Sequence, residues 1–127
     1  MTLKGAEILL YPTAIGSEPI LSCDSMPHWR RCMQGHSASN VVPVIAANRI
    51  GTECVVPSEA NNNQSSELMF YGSSFITDET GALIEQMDRD VEGYVLASFD
   101  LDAIADMRAS WGLFRDRRPD CYQTITE

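Results

Sequence analysis

The sequence predicts an α/β domain of the α+β kind, with a mixed sheet and its helices on one side. Two observations carry this reading. Apolar runs at residues 8–11 and 41–47 bracket a helical pattern at 25–39, the order of a βαβ unit. From residue 68 onward, apolar runs alternate with tight turns, as hairpins do.

The first run is four apolar residues long, the composition of a strand buried on both faces of a parallel sheet. Pro12 has no N–H and is expected to stop the ladder. Beyond it, residues 13–19 form a Thr/Gly/Ser/Glu loop at the carboxyl end of the strand, where α/β folds commonly contact ligands. Gly5 has the character of a helix C-cap, yet only four residues precede it. The chain is therefore expected to open in the middle of a βαβ-type unit.

Asp24 or Ser25 offers an N-cap, and Pro27 fits the first turn of a helix reaching about Ser39. Trp29, Cys32, Met33 and His36 recur at helical spacing and define its expected buried face, and Asn40 is placed to close it. Residues 41–47 (VVPVIAA) form a second buried strand, with Pro43 implying a bulge or an edge. Residues 48–51 then leave as a polar loop, and 57–67 (PSEANNNQSSE) as an exposed one. A third strand is predicted over 68–77, with Gly72 allowing close backbone approach. The turn at 78–81 leads into a hairpin partner at 82–87. A further strand is predicted over 94–99, then a helix capped by Asp100 with Leu101, Ile104 and Met107 inward. The remainder, 111–122, is an irregular tail of aromatics and arginines.

Composition narrows the function classes. Hydrophobic content of 44% and charged content of 21% are those of a globular chain rather than a disordered one. Eighteen acidic residues against nine Lys and Arg argue against nucleic acid and suit a neutral or cationic small ligand. No apolar run approaches the ~20 residues that span a bilayer, so no membrane partner is expected and a cytoplasmic location is the default. The four scattered cysteines read as reduced thiols. Five of the basic residues fall in two runs, Arg30-Arg31 and Arg115 to Arg118. The second mixes signs with Asp116, which suits salt bridges. With Trp111, Phe114 and Tyr122 around it, the tail either docks on a neighbouring subunit or packs on its own domain.

Three constellations carry chemical potential. Cys23, His28, Cys32 and His36 are zinc-ligand types, but their spacing matches no common zinc module, and a buried helix face with a satisfied histidine is the preferred reading. Cys32 with His36 as a nucleophile–base pair fares no better, since a reactive thiolate needs partial exposure and an electropositive site. Glu18 stands on the ligand-facing loop, where a carboxylate can hold an ammonium group with Thr13 and Ser17 supplying hydrogen bonds. A solvated loop glutamate is the equal alternative.

In this order, residues 5–19 (GAEILLYPTAIGSEP), 28–51 (HWRRCMQGHSASNVVPVIAANRIG), 70–81 (FYGSSFITDETG) and 111–120 (WGLFRDRRPD) resemble the nitrilase superfamily of carbon–nitrogen hydrolases, specifically its N-carbamoylputrescine amidases. The resemblance implies one partial domain over 1–127, the C-terminal half of a four-layer αββα sandwich. It implies hydrolysis of N-carbamoylputrescine to putrescine, carbon dioxide and ammonia by a Glu–Lys–Cys triad, without metal or organic cofactor. It also implies homo-oligomers built through helices and tails. Thr13, Ala14, Ser17 and Glu18 fall on the loop that meets the substrate. The triad positions would lie upstream of Met1, and Lys4 is the only lysine here. The chain alone is therefore expected to be inactive unless a complementary N-terminal half supplies the triad. The alternative is a non-catalytic interaction module that joins full-length subunits.

Overall fold

The structure is a computed structural model that describes residues 1–17 and 22–122. Its elements are β1 (Leu9–Thr13), β2 (Gly16–Ser17), α1 (Met26–Asn40), β3 (Val44–Asn48), β4 (Ile50–Cys54), β5 (Glu67–Tyr71), β6 (Phe75–Thr77), β7 (Leu83–Gln86) and α2 (Leu101–Trp111). They form a four-stranded mixed sheet in the order β1-β3-β6-β7 and a three-stranded antiparallel sheet in the order β2-β5-β4. The expected α/β class is what the chain adopts.

β1 and β3 run parallel, Leu9 opposite Val44 and Thr13 opposite Asn48, with α1 as their crossover. Pro12 does not end the ladder. It lies within β1, an edge strand of the described sheet, where a missing N–H is tolerated. Nor is β1 buried on both faces: Leu9 is buried, while Leu10 is 68% exposed. Gly5 does cap a helical turn, the single 3-10 turn Thr2–Lys4.

The α1 N-terminus is close to expectation, with Ser25 as N-cap, Pro27 in the first turn, and the Asp24 carboxylate accepting from the Met26 N–H at 3.1 Å. Its buried residues are Met26, Trp29 and Ser37, with Met33 half-buried; Cys32 and His36 are exposed. At 100° per residue, those two stand one step round the helix from the stripe that packs. Ser37 is buried despite its hydroxyl because that hydroxyl is satisfied: it donates toward Val42 O at 2.7 Å and Asp78 O at 2.6 Å, and accepts from Thr77 Oγ1 at 3.0 Å. Val41 (φ 49°), rather than Asn40, closes the helix.

Pro43 lies just outside β3, neither a bulge nor an edge, and its carbonyl accepts from the Leu9 N–H at 3.0 Å. Most of the polar loop expected at 48–51 is strand: Asn48 ends β3 and Ile50 begins β4, which pairs along its whole length with β5. The single strand expected over 68–77 is two, β5 in one sheet and β6 in the other. The crossing is made at Gly72 (φ 47°) and Ser73 (φ 56°), the latter braced by its own hydroxyl on Tyr71 O at 2.8 Å. A Cβ on Gly72 would stand 2.3 Å from Arg89 O, so this site takes no side chain without rearrangement. The β6–β7 hairpin forms as predicted. No strand forms over 94–99.

Both sheets meet at Trp29. Leu9, Val44, Ala46 and Phe75 from the larger sheet and Tyr71 from the smaller share its core cluster with Met26 and Val42. The indole is edge-on to Phe75 (5.3 Å, 72°) and tilted on Tyr71 (5.8 Å), pairs worth about 0.5–1.5 kcal/mol beyond burial. Asp100 caps α2 by accepting from the Ala103 N–H at 2.9 Å, and Ile104 is its buried residue, with Leu101 and Met107 half-buried. Arg108 on α2 donates twice to Val41 O, at 3.0 and 2.8 Å, which places a cation at the negative end of α1. In the tail, Arg115 pairs with Asp116 and Arg118 with Asp120, each within its own short stretch. Trp111 stays exposed and Phe114 is half-buried.

Candidate functional site

The carboxyl ends of the parallel pair β1/β3 lie side by side, and the segment 14–17 leaves from there. Such a crevice is where open α/β sheets bind ligands. One side chain organises it. Asn48 accepts through Oδ1 from the Thr13 hydroxyl (3.0 Å) and the Ile15 N–H (2.9 Å), and donates through Nδ2 to Ile15 O (3.0 Å) and Gly72 O (2.9 Å). All four hydrogen-bonding capacities of the amide are thereby used. Its own N–H donates to Ser74 Oγ at 2.9 Å. Asn48 thus pins the segment after β1 to the point where the chain crosses between sheets.

β2 fixes the same segment from the other side. Gly16 and Ser17 pair antiparallel with Phe70 and Met69, so close that a Cβ on Gly16 would stand 2.2 Å from Met69 O. Ser17 Oγ faces Ser25 Oγ at 3.4 Å, linking the segment to the start of α1.

Each expected site residue can now be placed. Thr13 is half-buried, and its single hydroxyl proton is shared between Asn48 Oδ1 and Ala47 O at 3.1 Å. It supports the loop; what it retains for a ligand is acceptor capacity. Ala14 is exposed and Ser17 half-buried. Glu18 lies outside the described residues. A cavity of about 250 Å³ opens beside Asn48, bounded by Gly72, Ser74, Asp88 and Glu92 among others. Thr13, Ala14 and Ser17 do not line it.

Asp24 and Arg89 form an ion pair at 2.5 Å next to this region. The hydrogen bond from Arg89 holds the Asp24 carboxyl below the usual carboxylate range, against a smaller upward push from burial. Tyr71, 2% exposed, has its phenol raised by burial, with Ser25 and Arg89 drawing it back and Asp24 adding to the rise. No described residue makes a well-formed hydrogen bond to its hydroxyl.

The thiols are arranged differently from the expected buried helix face. Cys32 Sγ lies 3.6 Å from His28 Nε2 on the outer face of α1, whereas His36 Nδ1 bonds the Tyr11 hydroxyl at 2.8 Å. Among the described residues, no group of three or more His, Cys, Asp and Glu is placed to hold a metal ion. Cys54 and Cys121 sit beside the carboxylates of Glu67 and Asp120 at 3.8 and 3.7 Å. A carboxylate neighbour opposes the negative charge a thiolate nucleophile carries. No described helix is long and apolar enough to cross a membrane.

Sequence reading missed Asn48, which it placed in a polar loop. The available signal was an amide directly after an apolar strand, within NRIG.

Comparison with known proteins places this architecture among enzymes that act on carbon–nitrogen bonds. The solved carbon–nitrogen hydrolase from Helicobacter pylori superposes with a TM-score of 0.80 at 34% identity, covering 100% of this chain and 43% of that one. The carbon–nitrogen hydrolase family pattern matches residues 1–109, and the chain belongs to that family. Among curated relatives, N-carbamoylputrescine amidase of Arabidopsis thaliana and citrullinase of Francisella tularensis are each 52% identical over 126 residues, 98% of this chain. The chain spans 41% of the length of either.

Proposed function

We propose that these 127 residues form the substrate-loop part of an amidase that hydrolyses the ureido group of a small amine-bearing molecule. N-carbamoylputrescine, yielding putrescine, carbon dioxide and ammonia, is the leading substrate. The observation that carries the reading is the Asn48 clamp. It holds the segment after β1 at the ends of the parallel strands, in a chain 52% identical to an N-carbamoylputrescine amidase. In this reading Thr13, Ala14 and Ser17 border the ligand and the Glu18 carboxylate receives its ammonium group. The net charge of −9 favours such a cation. Citrulline is the competing substrate, because a citrullinase is equally similar and citrulline also carries a ureido group and an amine.

The reaction needs a cysteine to attack the ureido carbon, a glutamate to move protons and a lysine to stabilise the tetrahedral oxyanion. None of the four described cysteines is set beside both a glutamate and a lysine: Cys54 and Cys121 adjoin a carboxylate alone, Cys32 adjoins a histidine, and Cys23 is exposed. The triad is therefore assigned to a part of the domain outside these residues. The oligomer is built from such complete domains.

Ammonia release tests this directly. The 127-residue chain alone is expected to release none from N-carbamoylputrescine or citrulline. Co-expression with the stretch of the Arabidopsis relative that it does not match is expected to restore turnover, N-carbamoylputrescine first. Turnover by the chain alone, abolished by one Cys→Ala change, overturns the assignment of the triad. A complex inactive on both substrates overturns the amidase reading.

A further inference from the structure

The connection between β1 and α1 is held at its start by Asn48 and β5. Its far end is held by Asp24, whose two carboxylate oxygens have different partners. Oδ1 accepts from the Met26 N–H at 3.1 Å, in the first turn of α1, and Oδ2 accepts from Arg89 Nη2 at 2.5 Å. Arg89 stands 65 positions further along the chain, on the bend after β7. Among the described residues, the other three ion pairs join side chains at most four positions apart, so this is the one that crosses the fold. The Arg89 guanidinium also lies 6.0 Å over the Tyr71 ring, directly after Met69 and Phe70, the partners of Ser17 and Gly16. The Arg89 backbone abuts Gly72, where a Cβ would stand 2.3 Å from Arg89 O, and the Gly72 carbonyl accepts from Asn48 Nδ2 at 2.9 Å. Both ends of the connection are thus tied to one place, the crossing between the sheets. A half-exposed ion pair contributes only about 0–1 kcal/mol to global stability. Holding a ligand segment in its bound geometry before the ligand arrives has a separate effect: it lowers the ordering cost of binding.

We infer that Arg89 is a positioning residue for the candidate ligand segment: it holds Asp24, and with it the far end of the connection whose near end Asn48 holds, and so sets the affinity for substrate. This rests on the amidase reading above. Arg89 is not itself a substrate ligand here. Its guanidinium is committed to Asp24, and a bare cation would repel the ammonium end of the proposed substrate. That repulsion gives the inference a sign. Charge alone predicts that removing Arg89 strengthens binding of a cationic substrate, whereas removing the charge of Asp24 weakens it. Positioning predicts that both changes weaken it.

The test has two arms. In the first, the full 127-residue chain is co-expressed with the unmatched stretch of the Arabidopsis relative, and steady-state kinetics are measured on N-carbamoylputrescine. Arg89→Ala and Asp24→Asn are each expected to raise KM three- to tenfold with kcat within twofold of the parent. Asp24→Asn keeps an oxygen for the Met26 N–H, so its effect reads the ion pair rather than the start of α1. Arg89→Lys, which keeps the cation, is expected to recover KM to within threefold. An Arg89→Ala variant with unchanged or lower KM overturns the inference, as does a loss confined to kcat. In the second arm, hydrogen exchange is followed in the 127-residue chain itself. Arg89→Ala is expected to speed the amides of Ser17 and Met26 at least threefold while those of β1 and β3 keep the parent's rates. Equal acceleration throughout shows a merely structural role and overturns the inference, as do unchanged rates at Ser17 and Met26. A complex that turns over neither N-carbamoylputrescine nor citrulline refutes the amidase reading, and the exchange arm then decides by itself whether Arg89 holds the segment.

Discussion

The side-chain amide of Asn48 donates to the carbonyl of Gly72 at 2.9 Å, tying the end of β3 to the point where the chain leaves one sheet for the other. The same amide holds Ile15 at both its N–H and its carbonyl. One residue therefore fixes the relative position of the two sheets and the candidate ligand segment.

Asn48→Ala strips partners from half-buried groups at Ile15 and Thr13 and from a buried carbonyl at Gly72. Loss of about 2–3 kcal/mol is expected, because leaving buried polar groups unsatisfied costs more than a hydrogen bond contributes net. At pH 7 Asn48→Asp sets a carboxylate oxygen against the Ile15 and Gly72 carbonyls, so it is expected to lose at least as much. Urea denaturation at pH 7 orders the three proteins.

Gly16→Ala tests the closeness of β2 and β5. Its Cβ meets Met69 O at 2.2 Å, a contact that only backbone movement relieves. We expect a loss of about 1–3 kcal/mol, typical of overpacking, with Met69 and Phe70 amides exchanging faster. Unchanged exchange there would show that β2 is not anchored as described.

Tyr71→Phe removes a buried hydroxyl with no well-formed partner among the described residues. The ring contacts with Trp29 remain. Stability equal to or above the parent is expected, since deleting an unsatisfied polar atom removes a desolvation penalty of about 1–3 kcal/mol. A marked loss would reveal a partner for the phenol.

Asp24→Asn tests the ion pair with Arg89. A carboxyl whose pKa is depressed on folding stabilises the fold above its unfolded pKa, and that contribution fades as pH falls through the folded value. Both side chains are about half exposed, so solvent screening limits the effect at pH 7 to about 0.5 kcal/mol. The difference from the parent is expected to shrink in 1 M NaCl and to vanish below the carboxylate range.

The βαβ opening, the α1 and α2 caps and the β6–β7 hairpin were legible because local chemistry sets them: Pro27 in a first turn, Asp100 before an apolar pattern, Asp78 and Gly81 in a tight turn. β4 was not, since Gly51 to Cys54 are all exposed and backbone pairing with β5 alone makes them a strand. The break between β5 and β6 depends on positive φ at Gly72 and Ser73, and the serine gave no warning of it. Cys32 and His36 were read inward because they look like better core residues than Ser37. Thr77 and two carbonyls make Ser37 the buried one. The role of Asn48 is set by residues 24 to 35 positions away, beyond any local pattern. Residues 94–99 carry the alternation of a strand, but no described partner completes it.

The solvent-facing side chains of residues 94–99 make colloidal behaviour depend on pH. At neutral pH, nine surplus negative charges keep molecules apart before Tyr94 and Leu96 of one reach the bare backbone of another. Near the isoelectric point of about 4.5 that repulsion disappears. Acidification should then turn a soluble preparation into β-rich precipitate well before the helices melt.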